Sequence, residues 1–250
     1  MALPPELIDE ILFRLRYDKR TLQECSLVAK SWVYRCQKLL HDWHLRFTPE
    51  TYKTWRETAS PARVKSLQHV RSMTCSGFNS LRDVHGEHLQ SLHRLQHITL
   101  DNVKSAQRDL INLLPASQGT ISSLHLSRVS IYDTGIVRLI NYFPNLREFD
   151  IDQSKILKDP LSIPPSSRSP RGKLGLADLR KQDMAALSAC LARLEPAYDE
   201  LEIVNTYGLS YPDLPPIIYA CGKALARLVL DPAYGKPVCY APRTCTTIVF

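Results

Sequence analysis

The chain has no run of eighteen apolar residues, so no membrane-spanning helix is expected. Its first residues lack the basic-then-apolar order of a secretory leader, so export is not expected either. No Cys-x-x-Cys occurs among Cys25, Cys36, Cys75, Cys190, Cys221, Cys239 and Cys245. An odd, scattered set argues against a disulfide framework and for reduced, mostly buried thiols in the cytoplasm or nucleus. Neither Gly-x-Ser-x-Gly nor His-Glu-x-x-His is present. The stretch "PRGKLG" at 170–175 lacks the length and the Ser or Thr of a phosphate-binding loop. The pairs His41/His44, His85/His88 and His93/His97 have helical spacing, yet no Cys or acid set completes a metal site, and they read as surface or packing residues. Cys75 falls at an inward strand position and is a poor nucleophile. No catalytic residue, metal site or cofactor is indicated, and the chain is not read as an enzyme.

What is present is ordinary for a globular protein of one or two domains: 250 residues, 44% hydrophobic and 23% charged. The net charge of +7 is compatible with nucleic-acid or acidic-membrane contact, but the basic residues form no strong block.

Pro4 and Pro5 suit a helix entry, where a missing N–H costs nothing. Leu7, Ile8, Ile11, Leu12 and Leu15 then fall on one helical stripe, opposite Glu6, Asp9, Glu10 and Arg14. Thr21-Leu-Gln-Glu24 reads as a capping box opening a second helix. Leu22, Cys25, Leu27, Val28 and Trp32 form its apolar side, continued by Cys36, Leu39 and Leu40. A piece of about 45 residues is too small to bury all these side chains alone.

These residues resemble an F-box. That motif runs Leu-Pro-x-Glu-Leu, two spaced apolar pairs, then Cys-Ser-x-Val-x-x-x-Trp. Leu3, Pro4, Glu6, Leu7, Ile11, Leu12, Leu15, Leu22, Cys25, Ser26, Val28 and Trp32 match it. The resemblance covers residues 3–45 and departs at "RYDKRT" (16–21), which is more basic than usual. It implies three helices that dock a Skp-type adaptor, and through it a cullin, through Leu3, Pro4, Leu7, Ile8, Ile11, Leu12, Leu27, Val28 and Trp32.

Beyond residue 45, Thr48-Pro49-Glu50 reads as an N-cap, a first-turn Pro and a first-turn acid. Phe47, Tyr52 and Trp55 tie the F-box to the rest of the chain, and Ser60-Pro61 opens another short helix. Then one pattern recurs, apolar-x-x-apolar-x-apolar: "VRSMTC", "LQHITL", "ISSLHL", "LREFDI", the weaker "RGKLGL", "YDELEI" and "LARLVL". Its fourth positions are Met73, Ile98, Leu124, Phe149, Leu174, Leu201 and Leu228, in steps of 25, 26, 25, 25, 27 and 27. A period in the twenties with this core marks a leucine-rich repeat. Residues 107–114, 133–143 and 181–194 read as the helices between strands. The usual Asn of such repeats is missing from most units, as in the divergent repeats of many F-box proteins.

The expected fold is α/β: an F-box (1–45), a helical linker (46–63), and a curved solenoid of about seven strand-helix units (64–250) with parallel strands on its concave face. A Pro/Ser-rich loop is expected at 153–172, with Ser169-Pro170 as a phosphorylation candidate. "CTTIVF" (245–250) starts another unit, as a cap or as an open edge.

The register exposes three residues per strand on the concave face. Seven of those 21 are acidic (Asp101, Glu148, Asp150, Asp152, Glu200, Glu202 and Asp231) and two are basic (Lys173 and Arg227), a net of −5. Asp101, His125, Glu148, Asp150, Asp152, Glu200 and Glu202 are therefore the expected target-binding set, suited to a partner with a basic segment. Nucleic acid would need the opposite charge there. The sequence reads as the substrate receptor of a ubiquitin ligase. A repeat scaffold outside any ligase is the alternative, and a hydrolase or nuclease with a dispersed site a third.

Overall fold

The computed structural model describes residues 4–15, 19–41, 44–59, 64, 67–84, 89–104, 107–159, 170–194, 197–204, 215–221, 225–231 and 246–249. Three helices come first: α1 (Pro5–Arg14), α2 (Lys19–Val28) and α3 (Lys30–His41). The second apolar stretch is thus two helices, divided at Ala29, and Thr21 lies inside α2 instead of capping it. Ile8, Leu12, Leu22 and Cys36 form a small core of their own, with Leu15, Cys25, Trp32 and Leu39 partly buried around it. Arg35 on α3 pairs with Asp9 on α1 at 3.3 Å.

The sheet begins earlier than the repeat pattern places it. Strand β1 (Leu45–Phe47) lies parallel to β2 (Ser72–Ser76), with Leu45 opposite Met73. The segment expected to be a linker therefore belongs to the body. Helix α4 (Pro49–Glu57) follows β1, capped as its sequence demands: Thr48 Oγ1 accepts from the Thr51 N–H, and Thr51 Oγ1 accepts from the Thr48 N–H. Phe47, Tyr52 and Trp55 cluster with ring centroids 5.2–5.9 Å apart, Phe47 edge-on to the stacked pair Tyr52 and Trp55. Phe47 and Tyr52 are buried in the main core.

After β2 come β3 (His97–Asp101), α5 (Gln107–Leu113), β4 (Ser123–Ser127), β5 (Ser130–Tyr132), α6 (Asp133–Tyr142), β6 (Glu148–Asp152) and β7 (Lys155–Leu157). The rest are β8 (Arg171–Ala177), α7 (Lys181–Ala192), β9 (Ala197–Val204), α8 (Pro215–Ala220), β10 (Arg227–Asp231) and β11 (Thr246–Val249). The fold is α/β. Its main sheet runs β1-β2-β3-β4-β6-β8-β9-β10-β11, parallel throughout except for the antiparallel β11, while β5 and β7 form a separate parallel pair. Strands follow one another in chain order, as near-equal spacing with a covering layer on one side would give.

The apolar register is realised residue for residue. Met73, Ile98, Leu124, Phe149, Leu174, Leu201 and Leu228 stand opposite one another across successive strands, and all are buried. Two residues on, Cys75, Leu100, Leu126, Ile151, Leu176 and Ile203 make a second buried row. Helices α5, α6, α7 and α8 supply Leu110, Ile136, Leu139, Leu187, Leu191 and Ile217 to the same core. Not every connection has a helix. Among the described residues, the β2–β3 link offers only short 3₁₀ turns, with Leu81, Val84, Leu89, Leu92 and Leu95 filling the space.

Each main-sheet strand from β2 to β8 is followed by one residue in the left-handed region: Gly77, Asn102, Arg128, Gln153 and Asp178, with φ from 46° to 74°. Each donates its backbone N–H to the last residue of the next strand: to the carbonyls of Asp101, Ser127, Asp152, Ala177 and Val204, at 2.9–3.0 Å. The following residue turns inward, so Phe78, Val103, Val129, Ser154 and Leu179 are buried.

The loop expected at 153–172 is shorter than that. Residues 153–159 are a turn plus strand β7, and Arg171 and Gly172 already belong to β8. Gly172 is required there: its φ is 93°, and a Cβ would collide with the Arg147 carbonyl oxygen, which accepts from the Lys173 N–H at 2.7 Å. Ser169 lies outside the described residues, as do Ser60, Pro61, His85 and His88. At the far edge, β11 lies antiparallel on β10, with Ile248 opposite Leu228.

Candidate functional site

Two surfaces have the makings of a site. One is on the helical head. Leu7 is 51% exposed, Ile11 41%, Leu27 86% and Val28 70%. These four are unusual, since large apolar side chains elsewhere in the described chain are mostly inside. The stripe on α1 is split: α2 and α3 cover one edge and leave the other bare. Ile8 and Leu12, expected among the docking residues, lie in the head's core at 9% and 0% exposure. Trp32 is half-buried against that core, Pro4 is exposed, and Leu3 lies outside the described residues. Tyr34 on α3 links head to body, its hydroxyl 3.1 Å from His69 Nε2 and its ring edge-on at 5.4 Å.

The other surface is the open face of the sheet. Alternation along each strand puts there Asp101 (β3), His125 (β4), Glu148, Asp150 and Asp152 (β6), and Glu200 and Glu202 (β9). The structure brings all seven to one face, with β8 between the last two groups. Asp231 is on β10, but its side chain lies outside the described residues.

The face is less acidic than its sequence count. Arg128 reaches back from its turn to Asp101, with Nε at 2.9 Å and Nη2 at 2.5 Å from Oδ1, while Ser76 donates to Oδ2 at 2.9 Å. Burial pushes the Asp101 carboxyl upward, but the Arg128 and Ser76 hydrogen bonds and the charges of Arg128 and Arg46 outweigh it and hold the pKa below the ordinary value. Lys173 pairs with Glu202 at 2.5 Å, and Arg227 with Glu200 at 3.1 Å. The Glu202 contact is the largest effect on Lys173 and raises its pKa against burial. Sequence reasoning misses Arg46 and Arg128, because β1 has no repeat pattern and position 128 lies one residue beyond the strand motif.

What remains is concentrated on β6. Among the described residues, no Lys or Arg pairs with Glu148, Asp150 or Asp152. Asp152 accepts from the Ser127 hydroxyl at 3.1 Å. Asp150 lies between His125, whose Nδ1 is 3.8 Å from its Oδ2, and the bare backbone of Gly175 on β8. A Cβ at position 175 would collide with Asp150 Oδ1, so glycine is what lets this carboxylate lie flat across the neighbouring strand. The Asp150 contact is the largest influence on His125 and raises its pKa; burial opposes it, and the charges of Asp150, Asp152 and Asp101 reinforce it.

Cys75 is fully buried and its thiol is pushed up to about 12 by desolvation. Among the described residues, no three His, Cys, Asp or Glu side chains gather as metal ligands, and no helix is long and apolar enough to cross a membrane. In comparison with known proteins, the chain matches no family model and no curated sequence.

Proposed function

We propose that this protein is a non-catalytic substrate receptor of a Skp-cullin-F-box ubiquitin ligase. The observation that carries the reading is the apolar set Leu7, Ile11, Leu27 and Val28, left uncovered on α1 and α2 beside a small core of Ile8, Leu12, Leu22 and Cys36. All but Leu27 fall on F-box motif positions. Such a surface suits a Skp-type adaptor and, through it, a cullin. Burying four side chains of this size contributes up to roughly 6–12 kcal/mol before the costs of association.

The body is read as a leucine-rich-repeat-like solenoid. In support are one parallel strand per unit of 25–27 residues, the two buried rows, and the recurring left-handed turn. Its open face would be the concave, target-holding surface, and β6 its most negative strip. In this reading the chain acts by proximity, holding a target lysine near the charged conjugating enzyme, and catalysis belongs to other subunits.

Co-expression with a Skp-type adaptor tests the reading. The wild-type chain is expected to co-purify with the adaptor, and Leu27→Asp with Val28→Asp to lose it while keeping wild-type stability. A folded wild-type chain that ignores the adaptor sinks the reading and leaves a repeat scaffold that binds through some other route.

A further inference from the structure

We infer that the open face holds a basic peptide segment more tightly while His125 is neutral, so that target capture is tuned by pH. This rests on the reading of that face as the target-holding surface.

The geometry is that of a charge held in reserve. His125 and Asp150 are direct cross-strand partners on β4 and β6, with Nδ1 and Oδ2 3.8 Å apart. That separation is an ion pair when the ring is protonated and a loose polar contact when it is not. The groups facing His125 come from three sides. From β3 and its neighbourhood come His97 and Asp101, the latter already held by Arg128, with Arg46 beyond on β1. From β6 come Glu148, Asp150 and Asp152. From β8 comes Lys173, committed to Glu202. Arg128, Lys173 and Arg227 make their close ion pairs with carboxylates outside β6, although Lys173 stands opposite Glu148 and its charge also reaches Asp150; among the described residues, His125 is the cation that contacts Asp150 directly.

With the ring neutral, β6 presents three carboxylates at alternate residues, about 6.8 Å apart, a spacing matched by alternate residues of an extended basic segment. Protonation neutralises Asp150, the middle one, and places a like charge against the incoming lysine or arginine. Linkage requires the converse: a bound basic segment must make His125 harder to protonate.

Gly175 makes the arrangement testable without unfolding the sheet. Its φ lies outside the left-handed region, and the nearest atoms a methyl group would meet belong to the Asp150 side chain. Gly175→Ala should push that carboxylate off β8 toward His125 and leave the strands in place.

The experiment uses the full chain, with His125 followed by NMR of its ring protons. In the wild type the midpoint is expected above the usual ~6.5; in Asp150→Asn it is expected to fall, and in Gly175→Ala to rise further. A lysine- and arginine-rich octapeptide is the binding probe. Its affinity is expected to drop roughly two- to fivefold from pH 8 to pH 5.5, the range one half-exposed charge supplies. The drop is expected to vanish in His125→Gln, and saturating peptide to lower the His125 midpoint. A midpoint indifferent to Asp150→Asn and Gly175→Ala overturns the inference. So does a peptide that binds equally at both pH values while His125 titrates between them. A peptide that binds at neither pH overturns the reading of the face along with it.

Discussion

Leu12 and Leu27 carry the same side chain and play opposite parts. Leu12 is fully enclosed in the head and Leu27 is 86% exposed. Leu12→Ala should therefore destabilise the head by about 2–5 kcal/mol, from lost transfer free energy and the cavity left behind. Leu27→Ala should change stability by less than about 0.5 kcal/mol. Urea titrations followed by Trp fluorescence check both, and equal effects would mean that the head packs differently from this description. The sequence stripe Leu7, Ile8, Ile11, Leu12 and Leu15 establishes that one side of α1 is apolar. It does not reveal how much of that side α2 and α3 cover, because periodicity gives a direction, whereas coverage depends on where the neighbouring helices cross. Gly175 is illegible for a related reason. In the sequence it sits in the weakest copy of the repeat, yet its missing side chain is what Asp150 leans over.

At the scale of the element, the repeat unit consists of a strand and a left-handed turn. The strands are legible in the sequence, down to the pairing of Met73, Ile98, Leu124 and Phe149, because alternation along a parallel sheet with one buried face leaves only one consistent register. The turns are less so, since Arg128 and Gln153 are uncommon residues at positive φ and carry no turn signature. Of the five residues that turn inward after them, Ser154 alone is polar. Its hydroxyl accepts from the Val129 N–H at 3.0 Å and lies 3.2 Å from the Leu126 carbonyl oxygen, between two units. Ser154→Ala should leave that buried N–H without its acceptor and cost about 1–3 kcal/mol, with faster amide exchange at Val129 as the local signature. Unchanged exchange would show that the hydroxyl is not what holds the units together there. Charge adds a second effect across the strands. The pKa of His125 is raised above its ordinary value, so its protonation stabilises the folded sheet. That contribution is complete below pH ~6.5 and is lost as pH rises through the raised value. Asp101, held low, behaves oppositely: its contribution stands above the usual carboxylate range and is lost as pH falls through its lowered pKa. His125→Gln is therefore expected to remove part of the decline in stability between about pH 6 and pH 8 and to leave the acid limb alone. Thermal melts of the two proteins at matched pH provide the measurement, and parallel profiles across the whole range would refute it.

At the scale of the molecule, the head and the body have separate cores, and the body reaches closer to the head than the motif boundary implies. The sequence places residues 46–63 in a linker, because a three-residue strand leaves almost no periodic trace. In the structure, that strand lies parallel to β2, and Phe47 and Tyr52 are sealed into the body at 2% and 3% exposure. The contacts that cross from head to body include Tyr34–His69, a half-buried hydrogen bond worth about 1 kcal/mol. A chain starting at His44 should consequently keep the body's melting temperature within roughly 4 °C of the full protein, given how steeply a domain of this size responds to each kcal/mol. A chain starting at Val64 loses β1, α4 and the burial of two aromatic rings, roughly 3–6 kcal/mol by area, and exposes the edge of β2. Its melting temperature should fall by roughly 6–24 °C. Calorimetry on the two truncations decides where the body begins: equal melting temperatures would return β1 and α4 to the linker, and a steep loss only on the second cut would make them the first unit of the sheet.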